Sequence, residues 1–238
     1  MNNSDFLQTL KNSFISYIEN GERSNKKLKI LHAKIASDLK EILNDDKYEI
    51  YSLNLNDGKE KKISGRYIDK TVDIAIFHND NPVAGIAVKY VMSNYLQNSN
   101  NYFENMLGET ANIRCVNIPY FQIFIIPEKI PYYNKDGKIS KWEEISGDNL
   151  KKYTKLSNDN VNCYMHTPNK TLILVININD NIQQTFNCRT EYEEYHKNSD
   201  NFELKFSEKQ FNCKFGNAVI YNNYEEFIKK VAYFIKSI

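Results

Sequence analysis

The sequence predicts a single α/β or α+β domain, and three observations support this prediction. The length of 238 residues fits one domain with elaborations, because domains usually contain about 100–200 residues. The chain is 41% hydrophobic, including 17 Tyr and 13 Phe, which is enough for a core and excludes a disordered polyelectrolyte. Segments with helical spacing alternate along the chain with short apolar runs that have the length of strands.

Helices and strands are predicted in a regular order in the first half of the chain. Apolar residues recur at helical spacing in 5–19 and again in 24–44. The pattern then changes to that of strands, which are predicted at 48–55, 71–77 and 83–90. A helix over 98–114 and a strand at 121–126 follow. The core therefore has the order helix, three strands, helix, strand.

The second half of the chain is less regular. Residues 128–170 are polar and predict loops, with a weak helix at 143–157, before a convincing strand at 171–178. No elements are assigned within 180–217. An amphipathic helix closes the chain at 223–236. We therefore divide the single domain, 1–238, into three parts: a core at 24–127, an insertion at 128–217 and a C-terminal helix at 222–238.

Charge and cysteine usage exclude several classes of protein. The net charge of +1 gives no global argument for nucleic acid, so such a function has to rest on local sites. The cysteines and histidines are scattered, with no CxxC, no HExxH and no close pair of His, which argues against a zinc site and against any His-based metal site, and predicts reduced structural thiols. No signal peptide and no membrane-spanning run is recognisable, so we expect a cytoplasmic protein without membrane contact.

An acid and a lysine in neighbouring strands are the first candidates for chemistry. Asp73 directly precedes the apolar run Ile74–Phe77, and Lys89 lies near the end of the next strand. A short hairpin joins these strands, so the two side chains are expected to approach a common point. A carboxylate in an apolar strand costs several kcal/mol unless it is paired or binds a metal. The alternative is a structural ion pair, or two strand-edge residues that reach solvent.

The next segment, 93–112, predicts an amphipathic helix rich in amides. On a helical wheel, Phe103, Met106, Leu107 and Thr110 share the face that would pack on the sheet, whereas Asn101, Asn105, Gly108 and Asn112 share the opposite face. Glu104 and Glu109 lie on the flanks, from which a carboxylate can reach towards Asp73 and Lys89. The alternative is a solvated helix in a protein that contains 33 Asn.

These residues resemble a known family. The order of elements in 24–127, together with Val72-Asp73-Ile74-Ala75-Ile76 and Ala87-Val88-Lys89, resembles the PD-(D/E)xK nuclease superfamily, which includes many type II restriction endonucleases. The resemblance implies a restriction-endonuclease-like core, a mixed central sheet flanked by helices. It also implies a Mg²⁺-dependent, sequence-specific endonuclease that hydrolyses phosphodiester bonds in double-stranded DNA. A homodimer and a neighbouring DNA methyltransferase gene are further expectations.

The chain departs from the family's pattern at the second metal-binding acid, where Ala87 stands, and Val72 takes the place of the motif's Pro. Three explanations remain open. The acid has moved to the following helix, where Glu104 fits best and Glu109 second; an acid at 87 was replaced by Ala; or the protein has lost catalysis and only binds DNA. The resemblance implies that Asp73 and a second carboxylate bind Mg²⁺, which prefers oxygen ligands. It also implies that Lys89 orients the attacking water.

The resemblance also suggests residues outside the catalytic centre. Glu22 or Glu41 is a candidate for an outer metal contact. Amides and Arg suit base edges in the major groove, and lysines suit phosphates. The candidates for base contacts are Asn94, Gln97, Asn98, Asn101 and Arg114, and those for phosphate contacts are the lysines within 59–62 and 151–152.

Overall fold

A computed structural model describes residues 2–55, 58–180 and 185–238. The helices in this part of the chain are α1 (Asn3–Asn20), α2 (Lys26–Leu43), α3 (Tyr95–Arg114), α4 (Gly147–Ser157), α5 (Arg189–Lys197) and α6 (Tyr224–Lys236). The strands are β1 (Tyr48–Ser52), β2 (Lys61–Ser64), β3 (Asp69–Val72), β4 (Ile74–His78), β5 (Asn81–Tyr90), β6 (Tyr120–Pro127), β7 (Lys129–Tyr133), β8 (Ile139–Glu144), β9 (Lys170–Asp180), β10 (Phe202–Phe206) and β11 (Val219–Tyr221).

The main sheet is mixed, with the order β1-β4-β5-β6-β9-β10, and β11 also pairs with β9. Strands β1, β4 and β5 are antiparallel neighbours, whereas β5, β6 and β9 are parallel. Two separate ribbons, β2-β3 and β7-β8, lie outside this sheet. The sequence prediction of an α/β fold with a mixed central sheet flanked by helices is therefore confirmed.

Both faces of the sheet are buried, as expected for its parallel strands. Side chains alternate along β6: Ile123 and Ile125 join one apolar cluster, and Phe124 and Ile126 join another. The first cluster includes residues of α1, α2 and α6, and the second includes residues of α3 and α4. Within the described residues, no helix has the length and apolar character needed to cross a membrane.

The helices predicted at 5–19, 24–44, 98–114 and 223–236 are confirmed with small shifts at their ends. Two predictions in the second half need correction: residues 128–170 contain the hairpin β7-β8, and the weak helix at 143–157 begins only at Gly147. In 180–217, where the sequence assigned no element, the structure contains α5 and β10. Strands β7, β8 and β10 are short, so their sequences show little alternation of polar and apolar residues. Strand β10 also pairs with β9, which is distant in sequence.

The predicted strand 71–77 is interrupted at Asp73. Strand β3 ends at Val72 and pairs with β2, whereas β4 begins at Ile74 and pairs with β1 and β5. Asp73 therefore lies where the chain passes from the outer ribbon into the main sheet.

Candidate active site

Asp73 and Lys89 border the same cleft, as the sequence predicted. Strands β4 and β5 pair with Ile74 opposite Ile86, which places Asp73 beside the end of β5. The backbone N–H of Val88 donates a hydrogen bond of 2.7 Å to Oδ2 of Asp73. This bond fixes the carboxylate next to the residue that precedes Lys89.

The cleft has a volume of about 200 Å³ and lies between the sheet and α3. The sheet contributes Asp73, Ala87, Lys89 and Gln122 to its lining, β3 contributes Lys70, and α3 contributes Tyr102 and Glu109. Acidic, basic and aromatic groups therefore converge on a space that can admit a small anionic group.

Lys89 is held against an aromatic ring. Its Nζ lies 4.3 Å from the centroid of the Tyr102 ring, which is within the range of a cation–π contact. Partial burial of the ammonium group lowers the pKa of Lys89, and the carboxylates of Asp73 and Glu109 oppose this shift. A lysine with a lowered pKa gives up its proton more readily, which suits a group that takes part in proton transfer.

A second group of donors lies on another side of Asp73. His32 of α2, Glu60 and Asp73 each offer a ligand atom, and these atoms lie within 4.8 Å of one another. His32 is 1% exposed, and neither of its ring nitrogens finds a hydrogen-bond partner in the part of the chain that the structure describes. Its Nδ1 lies 3.8 Å from Oε1 of Glu60, too far for a hydrogen bond.

The protonation states in this group fit metal coordination. Burial lowers the pKa of His32, against the influence of Asp73, and so favours the neutral imidazole that binds metals. Burial also raises the pKa of Glu60, and the negative charge of Asp73 adds to this effect. Two neighbouring carboxylates are stabilised by a shared cation, and the unpartnered imidazole supplies a third donor. The residues present therefore fit a divalent cation.

The two glutamates of α3 have different positions. Glu109 borders the cleft and forms an ion pair with Lys70. Glu104 is exposed, does not line the cleft, and interacts electrostatically with Lys152. The structure thus brings Glu109 to Asp73 and Lys89 but does not bring Glu104 there, which reverses the order of preference drawn from the sequence.

Ala87 lines the cleft at the position where the resemblance places an acid. It is 9% exposed and belongs to a small apolar cluster that includes Val72 and Tyr120. A methyl group offers no ligand atom, so position 87 contributes space and apolar contact to the cleft and no donor.

The amides at the start of α3 contact the β7-β8 hairpin. Asn94, in a left-handed conformation, accepts a hydrogen bond from Tyr133 N and donates one to Tyr133 O. Gln97 is exposed and accepts a hydrogen bond from the Tyr132 hydroxyl. Asn98 is half-buried and lines a groove next to Lys89, and Asn101 is exposed. Asn101 and Gln97 are thus the more accessible of these four candidates.

Arg114 has a structural position. It is 8% exposed, and its guanidinium donates hydrogen bonds of 2.6–2.8 Å to the carbonyls of Val161, Tyr164 and Thr167. These bonds hold the loop that follows α4. A guanidinium engaged by three backbone carbonyls is not available to a base edge, so the structure does not support the expected DNA contact.

Asn112 also differs from its predicted place on the outer face of α3. It is 7% exposed, and its side chain bonds the backbone of the turn between β2 and β3: Oδ1 accepts from Tyr67 N and Ile68 N, and Nδ2 donates to Ile68 O. The turn itself is displayed to solvent, with Tyr67 79% and Ile68 66% exposed. The helix thus fixes a turn that presents two large apolar side chains.

The two candidates for an outer metal contact lie apart. Glu22 borders the groove beyond Lys89 and forms an ion pair with Arg189. Glu41 is exposed and borders a different depression at the end of α2. Only Glu22 is therefore near the cleft, and its charge is already balanced.

The sequence interpretation missed five residues of this site: His32, Glu60, Lys70, Tyr102 and Gln122. His32 carried a usable signal, because it lies among Leu31, Ile35 and Leu39 on the apolar face of a predicted helix. A titratable group on such a face has to find a partner or a ligand. Glu60 and Lys70 lie next to a turn in a polar stretch and give no comparable signal.

Comparison with known protein families, with curated proteins and with solved structures finds no match. The assignment of a function therefore depends on the site itself.

Proposed function

We propose that this chain is a divalent-cation-dependent endonuclease that hydrolyses phosphodiester bonds in double-stranded DNA, built on a core like that of type II restriction endonucleases. The observation that carries the proposal is the convergence of Asp73 and Lys89, from the start of β4 and the end of β5, on one cleft covered by α3. The order of helix, hairpin, helix and parallel strand around this cleft agrees with the order that the resemblance implies.

The chemistry of the cleft supports phosphodiester hydrolysis. When bound, a divalent cation polarises the scissile phosphate. Asp73, oriented by its bond from Val88 N, is the residue placed to hold that cation. Lys89, restrained by the Tyr102 ring, orients the attacking water and offsets the negative charge that develops on the phosphate.

The turn between β2 and β3 supports a duplex as the substrate. Arg66, Tyr67 and Ile68 are exposed at its tip, and Lys70, at the base of the same ribbon, borders the cleft. Cations contact phosphates, and an exposed aromatic ring can contact bases or sugars. DNA bound at this turn would thus reach from the turn to the cleft.

The wider expectations belong to the same proposal. Cutting both strands of a symmetric site calls for two active sites, so the protein acts as a homodimer. It acts in the bacterial cytoplasm, and a DNA methyltransferase encoded next to it protects the host DNA.

The test is incubation of the chain with supercoiled plasmid and with mixed genomic DNA, with Mg²⁺ or Mn²⁺ supplied separately. We expect discrete bands that disappear on addition of a chelator. The variant Ala87→Glu runs in parallel, because it restores the family's acid. Absence of cleavage by both proteins, with every DNA and both cations, would overturn the proposal.

A non-catalytic DNA-binding module on the same scaffold is the second candidate. Two observations favour it: Ala87 offers no ligand atom, and the Glu109 carboxylate is engaged by Lys70. This candidate predicts a gel shift with duplex DNA that does not depend on added cation and is unchanged by Asp73→Asn. The endonuclease hypothesis predicts DNA cleavage that the variant Asp73→Asn abolishes.

A further inference from the structure

His32 is the only side chain among the described residues with two buried polar atoms that both lack a hydrogen-bond partner. Its imidazole is 1% exposed. Leaving a buried donor or acceptor unpaired costs about 1–3 kcal/mol, so native proteins contain few of them. A group kept at this cost is expected to have a partner in the functional state.

The surroundings of His32 indicate what that partner is. Its Nδ1 lies 3.8 Å from Oε1 of Glu60, and a carboxylate oxygen of Asp73 lies within 4.8 Å of the ligand atoms of both. At 3.8 Å, Nδ1 of His32 and Oε1 of Glu60 are too far apart for a hydrogen bond but close enough to share one cation, because two ligands at metal–ligand distances of about 2.0–2.2 Å can lie up to about 4.4 Å apart. The three side chains come from α2, from the loop before β2 and from the break between β3 and β4.

We infer that His32, Glu60 and Asp73 bind a divalent transition cation of the Mn²⁺ type in preference to Mg²⁺. Mg²⁺ favours an all-oxygen octahedral shell and is seldom bound by imidazole. Imidazole nitrogen suits transition metals, and carboxylates suit Mn²⁺ as well as Mg²⁺. A set of one imidazole and two carboxylates therefore selects a cation that accepts both donor types.

The inference rests on the proposed function only through Asp73, and it changes that function in one respect. The resemblance places the second metal-binding acid at 87, on the cleft side of Asp73. The structure places the additional donors at His32 and Glu60. The cation is then held without an acid at 87, and Ala87 no longer argues against catalysis.

The test is a titration of the chelator-stripped chain with Mn²⁺ and, separately, with Mg²⁺, in the absence of DNA. Calorimetry measures the binding of both cations, and the loss of the electron paramagnetic resonance signal of free Mn²⁺ measures the binding of Mn²⁺ independently. We expect one site that binds Mn²⁺ at least about tenfold more tightly than Mg²⁺. The variant His32→Ala is expected to lose at least about tenfold in Mn²⁺ affinity and less in Mg²⁺ affinity.

His166→Ala is the matched control, because His166 Nε2 also lies 3.8 Å from a carboxylate, that of Asp159, but its side chain is 45% exposed. We expect its Mn²⁺ affinity to equal that of the unmodified chain. Glu60→Gln, in a partly exposed loop, provides a second test if His32→Ala does not fold, and a similar loss is expected. Absence of Mn²⁺ binding, equal affinity for Mg²⁺, or no effect of either variant would overturn the inference.

Failure of the inference and failure of the proposed function give different results. Mn²⁺ binding that depends on His32, in a protein that cuts no DNA, supports the metal site and rejects the endonuclease. DNA cleavage by a protein whose Mn²⁺ affinity is unchanged in both His32→Ala and Glu60→Gln supports the endonuclease and rejects the metal site.

Discussion

The two sides of Asp73 differ in how their polar groups are paired. On the cleft side, Lys70 pairs with Glu109, and the ammonium of Lys89 lies against the Tyr102 ring. On the other side, His32 is buried, and neither of its nitrogens has a hydrogen-bond partner among the described residues. The charged groups of the cleft side therefore have partners, whereas the His32 imidazole has none in this part of the chain.

This difference suggests that the two sides of Asp73 have different roles. We propose that Lys89, beside Asp73, acts on water and phosphate, whereas His32, Glu60 and Asp73 hold the cation. Variants on the two sides are then expected to separate DNA cleavage from metal binding.

Asp73→Asn removes the one residue that both sides share. Because the amide oxygen can still accept the Val88 N–H, the fold should be retained while the charge is lost. We expect cleavage to fall by about 1000-fold or more, and Mn²⁺ affinity to fall with it. Plasmid cleavage and Mn²⁺ titration of the same preparation measure both. Retention of either property would show that Asp73 does not link the two sides.

Lys89→Met tests the cleft side alone. Methionine is one atom shorter than lysine and can still pack against the Tyr102 ring, but it has no charge and no proton to exchange. We expect cleavage to fall by about 100-fold, since general acid–base groups contribute about 10²–10⁴-fold. Mn²⁺ affinity should stay the same; a large change in it would place Lys89 in the metal site and remove the distinction.

Asn112→Ala tests the support of the exposed turn between β2 and β3. The variant removes three hydrogen bonds to the turn backbone. We expect the free energy of unfolding to fall by about 1–3 kcal/mol, because each of the three lost hydrogen bonds contributes about 0.5–1.5 kcal/mol. Urea denaturation measures it. Asn101→Ala, on the exposed part of α3, is the control and should change stability little.

His32→Leu tests whether the unpaired imidazole is kept at the expense of stability. Replacing a buried, unpaired polar group by an apolar side chain is neutral or stabilising. In the presence of a chelator we expect unfolding to require up to about 1 kcal/mol more than in the unmodified chain. Added Mn²⁺ should then no longer raise Tm. A clear loss of stability would mean that the imidazole has a structural partner.

Helices and strands with a local sequence signal could be predicted from the sequence alone. Apolar spacing located α1, α2, α3 and α6, and alternation or apolar runs located β4, β5, β6 and β9. The pairing of β4 with β5 also follows from sequence, because a short turn leaves antiparallel neighbours as the simple outcome. The convergence of Asp73 and Lys89 was predictable for that reason.

Packing between distant segments determines which other residues lie near Asp73 and Lys89. Arg114 and Asn112 have the chemistry of base-contacting residues, but loops that are distant in sequence, at 161–167 and 65–68, cover them and take up their hydrogen bonds. His32 is 41 residues from Asp73 in sequence, and α2 brings them together by packing on the sheet. Side-chain partnership depends on packing between distant segments, which no local pattern records.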